Sequence, residues 1–206
     1  MVRLAILASG TGTNAEAIIR YIQGVQDVEI TCIVSNKSKA GVLERARLYG
    51  IPTRVFKPKS WKNNPEDILT YFRENKIDGI VLAGYLQKIP EYLIREFPDR
   101  IVNIHPALLP AYGGHGMYGM HVHEAVHANR EKESGITIHL VNENYDEGEI
   151  IFQARCMLEP DDTPEDIRNR VLELEHRYFP AVVKYFAKGQ AKRIETGQSP
   201  ATAEGR

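Results

Sequence analysis

Short apolar runs, each followed by a stretch with apolar residues at helical spacing, constrain this 206-residue chain more than any other feature. The runs are Val2 to Ala8, Val28 to Val34, Thr53 to Phe56, Gly79 to Leu82 and Ile101 to Ile104. Asn14 to Gln23, Gly41 to Tyr49, Pro65 to Glu74 and Pro90 to Glu96 carry the helical patterns between them. Continuous apolar runs of this length fit strands buried on both faces, and strands separated by covering helices are parallel. The expected fold is α/β: a single-domain, doubly wound, mostly parallel open sheet with helices on both faces. Its ligand site belongs at the carboxyl ends of the strands.

The second half changes character. Gly113 to Met120 reads as an irregular glycine-rich loop, and Ile136 to Val141 and Glu149 to Cys156 as two further strands flanking a polar turn. Thr163-Pro164-Glu165-Asp166 is an N-cap with proline at the first helical position and acids in the first turn. The helix it opens is expected to run towards Tyr185. The domain then spans residues 1–188, with a polar, frayed tail over residues 189–206.

Bulk properties narrow the partners. A formal net charge of -1 argues against nucleic acid, so any phosphate needs a local site. Cys32 and Cys156 each sit in a strand-like run without metal-type neighbours, and both read as reduced core residues. The strand that starts at Val2 leaves no room for a signal peptide, and no apolar stretch reaches bilayer length. A cytoplasmic protein without a membrane partner is expected.

Ser9-Gly10-Thr11-Gly12-Thr13-Asn14-Ala15 lies between the first strand and the first helix. Glycines let an anion approach the backbone N–H groups, and the helix N-terminus adds unpaired donors and a favourable dipole. The segment fits a phosphate site, a plain strand-to-helix turn, or a G-x-G-x-x-A dinucleotide turn. For the last, Ser35-Asn36-Lys37-Ser38 lacks the usual ribose-binding acid but suits a 2′-phosphate, as in an NADP-dependent oxidoreductase.

Asn103 and His105 are two apart at the end of a buried strand, so they point to one face at the sheet's carboxyl edge. Pro106 turns the chain away just beyond them. Tyr145-Asp146-Glu147-Gly148 occupies a turn in which Gly148 permits a conformation other residues resist. A carboxylate there can orient His105 and hold it protonated. The residues alone leave open whether the pair is a satisfied strand end and Asp146 an ordinary solvated acid.

Ala8-Ser9-Gly10-Thr11-Gly12-Thr13-Asn14, Asn103-Ile104-His105-Pro106-Ala107-Leu108-Leu109-Pro110 and Asp146-Glu147-Gly148 together resemble the folate-dependent glycinamide ribonucleotide formyltransferases of purine synthesis. Val34-Ser35-Asn36-Lys37, Glu44-Arg45-Ala46, Leu82-Ala83-Gly84-Tyr85 and Glu175-His176 are also similar to that family. The resemblance implies 10-formyltetrahydrofolate as cosubstrate, no metal, and a monomer or homodimer acting on small molecules. It assigns Asn103, His105 and Asp146 to catalysis, Gly12, Thr13 and Asn14 to the substrate phosphate, and Glu175 to the ribose. Leu86, Gln87, Lys88, Ile89 and Asn103, with the loop leading to Asp146, are assigned to the folate pocket. It further implies a cis peptide at Leu109–Pro110. Other 10-formyltetrahydrofolate enzymes, such as a deformylase, share the Asn-x-His-Pro and Leu-Leu-Pro string.

Two departures fall on the folate side. Gln87 and Lys88 stand where the family usually has an arginine, and the Gly113 to Met120 loop is longer than its usual form. His121, His123 and His127 do not share one helical face, so they read as solvated or capping residues rather than a metal set. Lys57 to Lys62 reads as a basic, solvated loop.

Overall fold

The computed structural model describes residues 1–189; the tail expected over residues 189–206 therefore lies almost wholly outside the described residues. The parallel part comprises β1 (Val2–Leu7), β2 (Val28–Ser35), β3 (Thr53–Val55), β4 (Gly79–Leu82) and β5 (Ile101–His105). Helices α1 (Thr13–Ile22), α2 (Gly41–Leu48), α3 (Pro58–Asn63), α4 (Pro65–Glu74) and α5 (Glu91–Glu96) connect them. Then follow α6 (Met120–Ala128), β6 (Glu133–Leu140), β7 (Ile150–Met157) and α7 (Pro164–Ala187). One sheet holds all these strands in the order β3-β2-β1-β4-β5-β6-β7. Strands β1 to β5 pair in parallel, while β6 and β7 return antiparallel.

The alternation within each strand explains the apolar runs. Leu4 and Ile6 pack on one face of β1 with α1, α2, α6 and α7, while Ala5 and Leu7 pack on the other with α3, α4 and α5. Both faces are dry, so every position of the strand is apolar. Strand order reverses between β1 and β4, the point at which ligands bind beyond the carboxyl ends of the strands in sheets of this kind. Ser9 fastens together the loops that leave these two strands. Its N–H donates to the Gly84 carbonyl (3.0 Å), and its hydroxyl accepts from the Leu86 N–H (3.0 Å).

α7 starts as its sequence requires. The Thr163 hydroxyl accepts from the Asp166 N–H, the Asp166 carboxylate accepts from the Thr163 N–H, and Pro164 sits in the first turn. The Leu109–Pro110 peptide is cis.

Three expectations need correction. Lys57 to Lys62 is not a solvated loop but the start and body of α3; its lysines are exposed, yet Trp61 is buried and donates its indole N–H to the Phe56 carbonyl. Three charges masked one large apolar anchor. Cys32 is a buried core thiol, whereas Cys156 is only half-buried because β7 is the sheet edge. His123 is neither solvated nor a cap: it is buried on α6 with its Nδ1 unpartnered.

Candidate active site

The β5–β6 register builds the centre of the site. Asn103 lies directly across from His139, and His105 lies two residues further along β5. The β6–β7 pairing shifts register between Ile138 and His139, an irregularity of the kind that re-aims a side chain beside a site. His139 Nδ1 donates to the Leu140 carbonyl (2.7 Å), so its Nε2 accepts from the Asn103 amide Nδ2 (3.1 Å). His139 was not among the expected site residues.

Asp146 reaches both rings. Its Oδ2 lies 3.6 Å from His105 Nδ1, and its Oδ1 lies 3.6 Å from His139 Nε2. The Gly114 N–H donates to Oδ2 at 3.0 Å. Burial pushes the Asp146 carboxyl up, but the positive charge that His139 and His105 carry when protonated, together with the Gly114 N–H, outweighs it and holds the group below the usual aspartate value. Asp146 is thus an ionised carboxylate in a largely dry place. It sits at φ 55, a left-handed conformation that non-glycine residues rarely adopt.

Gly148 has a different reason to be glycine from the one expected. It is not among the positive-φ residues; instead, a Cβ there would lie 1.7 Å from the Leu140 carbonyl oxygen. The turn is pressed directly onto the end of β6.

His105 also departs from expectation. Its ring is 3% exposed, and burial drives its pKa below 6.5. Asp146 and the Tyr112 carbonyl pull the other way without prevailing. The expected pre-protonated imidazolium is therefore a neutral imidazole at neutral pH. Its Nε2 donates to the Tyr112 carbonyl at 2.7 Å, which leaves the Nδ1 lone pair on the Asp146 side.

A cleft of about 580 Å³ is lined by Asn103, His105, His139 and Asp146 and by Leu86, Gln87, Lys88 and Ile89. Lys88 stands over the Tyr145 ring at 5.3 Å. Asn14 and Glu175 line it as well, and Asn14 Nδ2 donates to Glu175 Oε2 at 2.6 Å. Burial raises the Glu175 carboxyl above its ordinary value, with Asn14 and Arg168 opposing.

Gly12 and Thr13 are not in the cleft wall; they continue from Asn14 around the turn that starts α1. Gly12 adopts φ 80, no side chain caps the helix, and a Cβ at Gly12 would meet Val42 at 2.6 Å. The first N–H groups of α1 are therefore left to an outside acceptor. Glu16 in the first turn would repel an anion, but Arg45 and Arg20 both pair with it. Arg45 also donates to the Thr11 carbonyl at 2.8 Å, tying α2 to the turn.

Among the described residues no cluster of three or more His, Cys, Asp or Glu could hold a metal. His121 faces Glu124, and His127 bonds the Asp162 carbonyl. Burial, with Arg168 and His105 nearby, lowers the His123 pKa to about 4. An unfolded His123 titrates near 6.5, so the unfolded chain binds more protons between these values, and stability is lost as pH falls from about 6.5 towards about 4. The loss attributable to His123 between pH 7 and pH 4.5 is about 2 kcal/mol. Urea melts at pH 7 and pH 4.5 should reveal it, and His123→Leu should flatten the difference; an unchanged difference would remove His123 from the explanation.

An ionised carboxylate, a neutral imidazole and an oriented amide, gathered at the carboxyl end of β5 and beside its antiparallel partner β6, define an α/β enzyme built for group transfer. The chain belongs to the formyl transferase family, whose model matches residues 2–183. It is 41% identical over 201 residues to the chloroplastic phosphoribosylglycinamide formyltransferase of Arabidopsis thaliana, covering 95% of this chain and 68% of that one. It is 38% identical over 196 residues to phosphoribosylglycinamide formyltransferase of Haemophilus influenzae, covering 93% and 90%. The crystal structure of phosphoribosylglycinamide formyltransferase from Anaplasma phagocytophilum superposes with a TM-score of 0.83 at 36% identity, covering 91% of this chain and 87% of that one. The NADP-dependent alternative has no support in these matches.

Proposed function

We propose that the chain transfers a formyl group from 10-formyltetrahydrofolate to the amine of 5-phosphoribosylglycinamide, a step of de novo purine biosynthesis. The observation that carries the reading is that Asn103, His105 and Asp146 share one cleft with the Asn14–Glu175 pair. The chemistry needs both: a place to handle the developing charge, and a hold on a phosphorylated acceptor.

The cleft volume suits a ligand of folate size. Leu86, Gln87, Lys88 and Ile89 form the wall proposed for it, with Tyr145 on the loop to Asp146. The folate supplies an activated formyl carbon. Asn103, its amide oriented by His139, directs an N–H at the formyl oxygen as that oxygen gains charge. One such donor is worth about 10²–10³ in rate. As the amine forms its bond to the formyl carbon, His105 takes the amine's proton on Nδ1, and the imidazolium is stabilised by the Asp146 carboxylate beside it. The dry surroundings keep the imidazole neutral until that moment. His105 then gives that proton to the folate nitrogen as the folate nitrogen–formyl bond breaks, which releases tetrahydrofolate and returns the imidazole to its neutral form.

Gly12, Thr13 and Asn14 hold the substrate phosphate through the uncapped N-terminus of α1. Glu175 accepts from the ribose hydroxyls. Glu175→Gln should raise KM for the nucleotide roughly tenfold, the value of one lost charge-assisted hydrogen bond, with kcat little changed. Steady-state kinetics decide this; an unaltered KM would take Glu175 out of the ribose site.

No described helix is long and apolar enough to cross a membrane, and a cytoplasmic location accords with small soluble substrates. The decisive assay mixes the protein with phosphoribosylglycinamide and 10-formyltetrahydrofolate and follows tetrahydrofolate release. Release that requires the nucleotide supports transfer. Equal release without it would mean that water is the acceptor and that the chain is a deformylase.

A further inference from the structure

We infer that Tyr112 is a positioning residue for His105: its carbonyl keeps the imidazole proton on Nε2, and its phenol, moored at the surface, keeps the carbonyl in place. A neutral imidazole has one N–H and can carry it on either nitrogen. With the Asp146 carboxylate 3.6 Å from Nδ1, electrostatics alone would draw the proton to that side. A ring in that form would have no lone pair to offer at Nδ1, and a wrong tautomer disables a catalytic histidine even when its geometry is intact. The Tyr112 carbonyl, 2.7 Å from Nε2, is what opposes it.

The carbonyl does not stay there by default. Tyr112 has φ 57, a conformation that its side chain disfavours. The phenol supplies the restraint: its hydroxyl donates to Glu131 Oε1 (2.6 Å) and accepts from Asn129 Nδ2 (2.8 Å), both just beyond α6. Gly113 then threads between Leu109 and Asp146, where a Cβ would meet the Leu109 side chain at 2.5 Å and Asp146 Cβ at 3.4 Å. Gly114 finishes the segment by donating to Asp146. Residues 112–114 therefore hold one partner by a carbonyl and the other by an N–H. A solvent-exposed polar contact is thereby connected to the proton position on a buried ring.

The test is histidine ¹⁵N NMR on the whole protein at pH 8, with the His105 signals identified by their loss in His105→Gln. The wild type should show the Nε2–H tautomer at His105. Tyr112→Phe should populate Nδ1–H, lower kcat roughly tenfold and leave KM for both substrates within about twofold. Glu131→Ala should follow it, while Glu131→Gln, which keeps an acceptor for the phenol, should stay near wild type. Thermal melts by circular dichroism confirm that these surface variants fold. An Nδ1–H tautomer in the wild type would overturn the inference, as would a Tyr112→Phe ring unchanged at Nε2–H, whatever its kcat. The kinetic arm rests on the formyl-transfer reading and the NMR arm does not. An inactive wild type with the expected tautomers would thus count against that reading alone.

Discussion

Asp146→Asn and His105→Ala are each expected to lower kcat by about 10²–10⁴ while leaving the fold intact, since each removes one half of a proton-accepting pair. In Asp146→Asn the amide oxygen can still accept from Gly114, so the turn keeps its shape. The negative charge beside Nδ1 is what disappears. Asp146 is among the groups holding the His105 pKa up against burial, so its loss makes the imidazole a still poorer base. His105→Ala removes the base entirely and leaves the oxyanion donor Asn103 in place. KM for both substrates should change little, because neither group is proposed to bind the ground state strongly. Purified, folded variants with near-normal turnover would take the pair out of the mechanism.

Gly148→Ala should be nearly as damaging without touching a reacting group. The added carbon would sit 1.7 Å from the Leu140 oxygen and 2.7 Å from its carbonyl carbon. Both belong to backbone, so no side chain can swing aside. Relief requires movement of the turn that carries Asp146 or of the strand end that carries His139. A displacement of about 1 Å in such a constellation costs on the order of 10²-fold in rate. Overpacking of this kind also costs roughly 1–3 kcal/mol in stability. Urea denaturation and kcat measured on the same preparation test both parts. A variant with native stability and native turnover would show that the turn is not braced against β6.

The sheet was legible because burial on both faces leaves a plain mark, a run of consecutive apolar residues such as Leu4 to Ala8. Asn103 and His105 were legible because polar residues two apart interrupt such a run at the edge where ligands bind. His139 was hidden inside Ile136 to Val141, where its meaning depends on standing opposite Asn103. Antiparallel register is a property of two distant segments, and neither states it alone. The charge state of His105 was misread for a related reason. The sequence offers an acidic partner, which raises a histidine pKa, but it does not report how deeply the ring is buried, and burial prevails here. Lys57 to Lys62 misled in the opposite direction, because the lysines define its outer face and Trp61 its inner one.

The central claim is a neutral imidazole kept next to an ionised carboxylate, ready to receive a proton on Nδ1. An NMR titration of His105 in the ligand-free protein addresses it most directly. The account predicts a midpoint below 6.5, with the ring uncharged at pH 7. A midpoint well above 6.5, with the ring already charged at pH 7, would contradict it and make His105 a donor from the outset.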